Sequence, residues 1–417
     1  MGPQLYAESQ DSVQTVSRVG TSFRDVMFGN RYYRQKGRLR ISHEGLFDLE
    51  MLGYNTVDGI YYGQNLSLDW RPDSLYALRS NLKAGYAFHR KAPMIEWNIN
   101  LLYAPMARGK VMLSAWYTSS DFNGSTGIPS TTNLAYTLLM RENYMKMYER
   151  AELELYNRID ITNGLCLVTT LNLAQKNRLQ NNSDFSFFYR NSKDFTPNVP
   201  GQSEPDDPAV EDTRIFSGFI QLTYTPRQTY IIRNYRKQLR ESEWPTFSLT
   251  YRQAFPFQEA GWSRFSRIEA DISHRSDVGL LSELSWSLEG GYYLDRNSIH
   301  FSDFKHFKSS PLLIDMAGFE HALTLMEYYE ASTPEYWISA HARLTSAYLL
   351  IKFLPWFSER LWKESLVLNY LYTPVTPHYV QVGYNLSEIF FLLDLGVYAA
   401  FQEGSYKGFG ARVNFRF

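Results

Sequence analysis

The chain ends on Ser405 to Phe417 (SYKGFGARVNFRF), and this stretch alternates without a break. Phe409, Ala411, Val413, Phe415 and Phe417 fall on one side. Tyr406, Gly408, Gly410, Arg412, Asn414 and Arg416 fall on the other. Successive side chains of a strand point to opposite faces, so this is a strand with one apolar and one polar face. The same period returns along the chain. Leu82, Ala84, Tyr86 and Phe88 oppose Lys83, Gly85, Ala87 and His89. Ile95, Trp97, Ile99 and Leu101 oppose Glu96, Asn98 and Asn100. Ala151, Leu153, Leu155 and Ile159 oppose Glu152, Glu154, Arg158 and Asp160, and Asn163-Gly164 predicts a tight hairpin into Leu165 to Leu173. Further on, Leu280, Leu284, Trp286 and Leu288 oppose Glu283, Ser285, Ser287 and Glu289. Ile338, Ala340, Ala342 and Leu344 oppose Ser339, His341, Arg343 and Thr345.

Two architectures accept such a pattern: a soluble all-β protein, and a barrel whose apolar face meets lipid. The longest apolar run, Ile389 to Phe401, is interrupted by Asp394, so no segment supplies the roughly 18 apolar residues a membrane helix needs. Mean hydropathy is −0.36, which a barrel tolerates because only alternate residues face lipid. Aromatics make up 16% of the chain, with 31 Tyr, 27 Phe and 9 Trp, a content that fits the aromatic girdles of membrane barrels. Trp356, Trp362, Tyr370 and Tyr372 read as such anchors. The expected fold is therefore all-β, a transmembrane antiparallel β-barrel of about 16 strands. Lys or Arg on the lipid face near the midplane would cost about 2–4 kcal/mol each. The charges on the alternate faces are accordingly expected in the lumen: Glu152, Glu154, Arg158, Asp160, Arg267, Glu269, Asp271, Glu283, Glu289, His341, Arg343, Arg412 and Arg416. Their mixed signs suggest a mutually neutralising network rather than a selective ring.

Strand parity organises the rest. Residues 1–35 read as a periplasmic linker with a short helix over Ser12 to Met27, followed by the basic residues Arg31, Arg34, Lys36, Arg38 and Arg40. Residues 36–417 read as the barrel, with a first strand near 37–48. If the last strand ends in the periplasm, the stretches near 119–148, 178–211 and 295–333 all become external loops, provided that 295–333 is one loop and five strands follow it. Lys352 to Trp362 then forms a short helical turn on the periplasmic side.

Few constellations carry chemistry. Net charge is −1, which gives no reason to expect nucleic acid. The single cysteine, Cys166, excludes an internal disulfide framework. His300, His306 and His321 lie with Asp303 and Asp315 in the long loop, but at no tight ligand spacing, so no metal is expected; Asp303, Lys305 and His306 are the loop's candidate functional residues. Alternation puts Ser273 and His274 on opposite faces, which spoils them as a nucleophile–base pair. No cofactor and no enzymatic activity are expected. Met1-Gly2-Pro3 begins no signal peptide, which suggests a fragment of a longer envelope protein.

Several strings in order carry a resemblance. They are Tyr54-Asn55-Thr56-Val57-Asp58-Gly59, Asn181-Asn182-Ser183-Asp184 before Thr196-Pro197-Asn198, Asp303-Phe304-Lys305-His306-Phe307, and Tyr328-Tyr329-Glu330-Ala331-Ser332-Thr333 followed by His341 and Leu354-Pro355. Over residues 20–417 the chain resembles the C-terminal barrel half of a Bacteroidetes outer-membrane family of unknown function. Members of that family commonly carry an N-terminal carboxypeptidase-regulatory-like domain, missing here, and the first string has Asp58 where the family pattern has Glu. The layout is also similar to the 16-strand barrels of outer-membrane assembly and translocation, without their Arg-Gly-aromatic motif in the long loop. The resemblance implies the bacterial outer membrane as location. Outer-membrane lipid, lipopolysaccharide and periplasmic envelope proteins are the expected partners. It leaves open an envelope transport or assembly role, a filled docking barrel that anchors a periplasmic domain, and an outer-membrane hydrolase.

Overall fold

The computed structural model describes residues 22–415 apart from 50, 74, 202–209, 256, 258–260, 317–320, 351–352, 354 and 356–361. Arg416, Phe417, Trp356, most of the helix expected over Ser12 to Met27 and most of the turn expected over Lys352 to Trp362 lie outside them.

Helix α1 (Phe23–Phe28) leads into β1 (Asn30–Arg34) and β2 (Leu39–His43). Then come β3 (Gly53–Asn55), β4 (Gly59–Trp70), β5 (Ala77–Ala87), β6 (Ala92–Tyr103) and β7 (Gly109–Asp121). Helix α2 (Ser130–Met140) precedes β8 (Met147–Thr162), β9 (Leu165–Arg178) and β10 (Thr213–Tyr224). A separate hairpin, β11 (Tyr230–Arg233) and β12 (Arg236–Leu239), precedes β13 (Thr246–Ala254), β14 (Arg264–Asp277) and β15 (Ser282–Ser298). The short β16 (Ile314–Asp315) is followed by β17 (Tyr336–Ser346), β18 (Lys363–Tyr372), β19 (Tyr379–Ile389), β20 (Leu393–Gln402) and β21 (Ser405–Phe415).

One sheet holds 19 of these strands. β2 and β3 pair with the two ends of the same edge of β4, so they are two halves of one stave interrupted at 44–52. β1 is an added arm on β2, and β16 belongs to a loop. That leaves 16 staves in an antiparallel meander, each paired with its sequence neighbour, and five of them follow the loop at 299–335. Asn163 and Gly164 make the two-residue turn between β8 and β9, with Gly164 at φ +80°, where glycine carries no Cβ penalty. One rim of the sheet, here the upper rim, carries the connections 122–146, 179–212 and 299–335. The lower rim, where β21 ends, carries mostly short turns.

The sheet is apolar outside and polar inside. On β21, Phe409 is 65% exposed while Arg412 is 8% exposed. Leu153 and Leu155, Leu171 and Leu173, and Leu366 and Leu368 are exposed in the same way, whereas Ser114, Glu364, Asn369, Gln381 and Asn385 are buried. A soluble sheet would turn its aliphatic face inward against a second layer. Here that face points out over nearly every stave and the polar face lines the interior, which is the pattern of a β-barrel in lipid.

Among the described residues no ladder joins the first edge of the sheet to β21. Loop elements occupy that seam. Helix α2 lies against β3. Its Tyr136 hydroxyl accepts from the Ile314 amide (3.1 Å) and its Thr132 hydroxyl from the Met316 amide (3.4 Å). β16 pairs in parallel with Val413 and Asn414 of β21.

Three features depart from the sequence reading. Asn30–Arg34, read as linker, forms β1, because Gln35, Lys36 and Gly37 all take positive φ and turn the chain back on itself. The first strand, expected as one piece near 37–48, is split around 44–52. The β11–β12 hairpin was not expected; Asn234 and Tyr235 both adopt positive φ at its turn, as a two-residue hairpin requires.

Candidate functional site

The long connection 299–335 does not stand away from the sheet. It enters the lumen and is tied to the inner wall at successive heights, with 122–146 and 179–201 packed above it. Together they form a plug.

At the top, the turn between β3 and β4 is shaped by Asn55, whose Oδ1 accepts from the amides of Val57 (2.9 Å) and Asp58 (2.7 Å). Asp58 is fully buried and accepts a hydrogen bond from Arg90 Nε (2.7 Å), while Arg90 also donates to Glu149 (2.9 Å). The Asn182 amide donates to the Thr56 carbonyl (2.8 Å), and its side chain to the Val57 carbonyl (2.8 Å). The Tyr54 hydroxyl donates to the Phe185 carbonyl (2.8 Å). Two of the recognised strings, 54–59 and 181–184, therefore meet. The third, 196–198, closes on 122–146 and β8: Asn198 accepts from the Met147 amide (2.8 Å) and returns a bond to its carbonyl (2.7 Å).

Below this, Asp121 at the end of β7 accepts from the hydroxyls of Tyr328 and Tyr329, each at 2.6 Å. Each hydroxyl in turn accepts a backbone amide, from Ile128 and Lys146 respectively, both at 2.8 Å. One carboxylate thus joins the wall to two loops. Gly127 leaves room for it, since a Cβ there would overlap the Asp121 carboxylate and the Tyr328 hydroxyl. Burial drives both tyrosine pKa values well above the ordinary phenol range, with Asp121 adding to the rise, so both hydroxyls keep their protons. Burial also lowers Lys146 to about 8.

Asp303 sits one layer deeper, 2% exposed, between Lys176 of β9 (2.6 Å) and Arg252 of β13 (3.0 Å). Burial alone would raise its pKa; the two cations outweigh burial and hold it below the usual carboxylate range. Lys305 pairs with Glu269 of β14 (3.2 Å) and with Glu289 of β15. Arg267 completes this belt through Glu269 (2.7 Å) and Tyr293 (2.9 Å). His306 is buried with Nε2 2.9 Å from the Phe301 carbonyl and Nδ1 2.8 Å from the Ser332 hydroxyl. A carbonyl only accepts, so Nε2 carries the proton and Nδ1 accepts from Ser332. Burial lowers His300 and His306 to about 3, and both are neutral.

Further round the wall, Asn369 and Gln381 donate to the Ala322 carbonyl (3.0 and 3.2 Å), and Arg412 Nε donates to the Thr324 carbonyl (2.9 Å). Leu323 and Met326 pack on Leu371, Tyr379 and Ala400.

Toward the lower rim the plug ends and two cavities begin. One, of about 830 Å³, is lined by Arg275, Glu283, Lys308, Arg343, Lys363 and Asp394 among others. The other, of about 790 Å³, is lined by Thr250, Glu269, Asp271, Ser287, Glu289 and His341.

The expected lumen residues fall into three groups. Arg267, Glu269, Glu289 and Arg412 bind the plug or its belt. Asp271, Glu283, His341 and Arg343 line the lower cavities; His341 bonds Asn369 (3.0 Å), and Glu283 pairs with Arg275 (3.3 Å). Glu152, Glu154, Arg158 and Asp160 stand on the β8 wall away from loop 299–335. Glu152 pairs with Arg150 of its own strand, and Asp160 pairs near the lower rim with Arg108 (2.8 Å) and Lys237 (3.3 Å). Of the loop candidates, Asp303, Lys305 and His306 all bind within the plug. Among the described residues no three His, Cys, Asp or Glu side chains converge as metal ligands. The sequence reading did not single out Asp121, Lys176, Arg252, Asn369 and Gln381. All but Asp121 sit on the polar parity of strands whose apolar parity is obvious, so extending the alternation across each strand would have found them.

Residues 24–386 match the family described as "Family of unknown function (DUF5686) C-terminal domain". No curated protein matches the chain. Among solved structures, it is similar to BamA from Haemophilus ducreyi lacking POTRA domains 1–3. That match has 9% identity and a TM-score of 0.45, and covers 93% of this chain and 70% of that one. A bacterial polysaccharide outer membrane secretin matches at 9% identity and a TM-score of 0.34, covering 90% and 94% respectively. The copper transporter OprC matches at 10% identity and a TM-score of 0.32, covering 89% and 65%.

Proposed function

We propose, for a chain that belongs to the DUF5686 C-terminal domain family of unknown function, that it is an integral β-barrel of the bacterial outer membrane with a gated role in envelope transport or assembly. The lower rim faces the periplasm in this reading, and the long loops face outward. The observation that carries it is loop 299–335, held inside the lumen by Asp121, Lys176, Arg252, Glu269, Glu289 and Arg412. A passive pore leaves its bore clear. This lumen is blocked above and hollow below, so material received from the periplasm meets a removable stopper. Periplasmic envelope proteins are the partners that would deliver it.

The filled upper lumen also suits a second reading, a permanently closed barrel that anchors a periplasmic domain. A lock on the loop separates the two. The pair Ala322→Cys and Asn369→Cys, in a Cys166→Ser background, would tie the loop to β18 where Asn369 already bonds it. Cells lacking the gene would be complemented with this variant and challenged with detergent. Under the gated reading, oxidised variant leaves the envelope defect and a reductant restores resistance. Equal resistance in both redox states would leave only the anchoring reading.

A further inference from the structure

The outer face carries an apolar notch over β14 and β15. On β14 and β15 the outward residues Ala270 and Gly290 are cross-strand partners. In the same row, Leu249 pairs with Ala270 and Ile338 with Gly290. The next row toward the lower rim is bulky: Tyr224, Phe247, Ile272 and Leu288. The two small residues leave an apolar hollow of about 760 Å³ between these walls.

The neighbouring glycines show that the hollow is not a by-product of packing. Gly291 faces inward, and a Cβ there would overlap the Trp337 indole, so its smallness is explained from inside. Gly290 has no such demand. Its φ is not positive, and a Cβ would meet its nearest neighbour, the Trp337 carbonyl oxygen, at an ordinary 3.4 Å.

Charge stands at the lower end of the notch. Three residues beyond Tyr224, Arg227 stacks its guanidinium over the ring of Trp244, with 4.9 Å to the centroid; Trp244 lies three residues before Phe247. Both side chains are exposed, and Arg227 makes no ion pair among the described residues. An arginine held on an indole at a membrane interface offers a fixed fork to a phosphate.

Taking the strands to span a membrane, as proposed above, we infer that this face holds one phospholipid of the periplasmic leaflet. One acyl chain lies in the notch over Ala270 and Gly290, and the phosphate sits on Arg227. A lipid bound this way occupies a site, unlike the exchanging lipid around the rest of the wall.

The test is native mass spectrometry of the full chain refolded in detergent, titrated with dioleoyl phosphatidylglycerol. The wild type should retain one lipid per chain. Gly290→Leu and, independently, Ala270→Leu fill the notch and should each lower retention about tenfold, the order expected from losing a buried apolar contact of this size. Arg227→Gln should lower it by a similar factor while the notch stays open. Heat-modifiable migration on gels checks that each variant folds. Undiminished retention in both notch variants, or no retained lipid on the wild type, overturns the site. Failure of the membrane reading itself would show separately, as wild-type chain that does not float with liposomes.

Discussion

The upper and lower halves of the lumen are walled by the same strands and the same residue types, yet one is largely filled by loops and the other holds the two larger cavities. Above, several charged wall side chains meet groups carried in by a loop: Asp121 meets two tyrosines, and Lys176 and Arg252 meet Asp303. Below, Arg275 pairs with Glu283 across adjacent wall strands, and Asp160 takes partners from lower connections, Arg108 and Lys237. The difference lies in the connections. Most lower connections are short turns with little chain to spare, while two of the upper connections run to more than thirty residues. Charge on the wall therefore does not decide whether this barrel is filled. What decides it is whether a loop supplies the opposite partner, because a buried ion pair is tolerated only when geometry and hydrogen bonds are complete.

The largest test of that contrast removes the loop. Replacing 300–334 by a short Gly-Ser linker should turn a blocked lumen into a conducting one in planar bilayers, because a curled sheet of about 16 staves leaves an aqueous bore once nothing fills it. If conductance stays at baseline, 122–146 and 179–201 close the lumen by themselves. Asp303→Ala should act next most strongly. It leaves Lys176, whose side chain is 5% exposed, and Arg252 facing each other without their anion. Breaking such a buried pair costs about 3–5 kcal/mol. External protease should then cleave within 300–334 far faster than in the wild type, while heat-modifiable migration persists.

Acid should loosen the same half. His300 and His306 are neutral in the plug, lowered to about 3 by burial, with Lys176, Arg267 and Lys305 opposing their charging and Asp303 favouring it. A released loop returns them to about 6.5. The docked form therefore binds fewer protons between those values. The histidines' contribution to its stability is full above about pH 6.5 and falls by roughly 1.4 kcal/mol per pH unit for each histidine as pH drops toward about 3. Asp303, whose docked pKa is depressed, adds to the loss only below about pH 4. Protease sensitivity of 300–334 measured from pH 7 to pH 4 should rise steadily, and His306→Gln should reduce the slope. A flat profile would mean that the histidines stay buried whether or not the loop is docked.

Much of this was legible in the sequence, and the limits have physical causes. The period of two fixed which face of β21 meets the exterior, because Phe409 and Arg412 cannot exchange faces without shifting the whole register. Strand parity placed the loop before the last five staves. Nothing in periodicity, however, says which way a loop bends. Asp121 ends its strand where alternation stops, so its parity was no guide, and its partners lie some two hundred residues away. Helix α2 was missed because Thr132, Asn133 and Thr137, its buried residues, are polar and leave no apolar stripe. The strings 54–59, 181–184, 303–307 and 328–333, which carried the family resemblance, all supply bonds of the plug, while 295–333 was expected as an external loop.

The smallest effects sharpen the contrast by pairing one change from each half. Tyr329→Phe removes a hydroxyl that bridges Asp121 (2.6 Å) and the Lys146 amide (2.8 Å), leaving a buried acceptor and a buried donor short of a partner. That should cost about 1–3 kcal/mol in loop docking. Glu283→Gln breaks a pair whose side chains are 58% and 41% exposed at the mouth of the lower cavity. Water screens that pair, so the change should stay within about 0.5 kcal/mol. Urea midpoints of loop proteolysis, measured on both variants in the same detergent, give the ratio directly. If the two changes cost the same, the lower wall is as dry as the plug, and the division of the lumen into a sealed and a wet half is wrong.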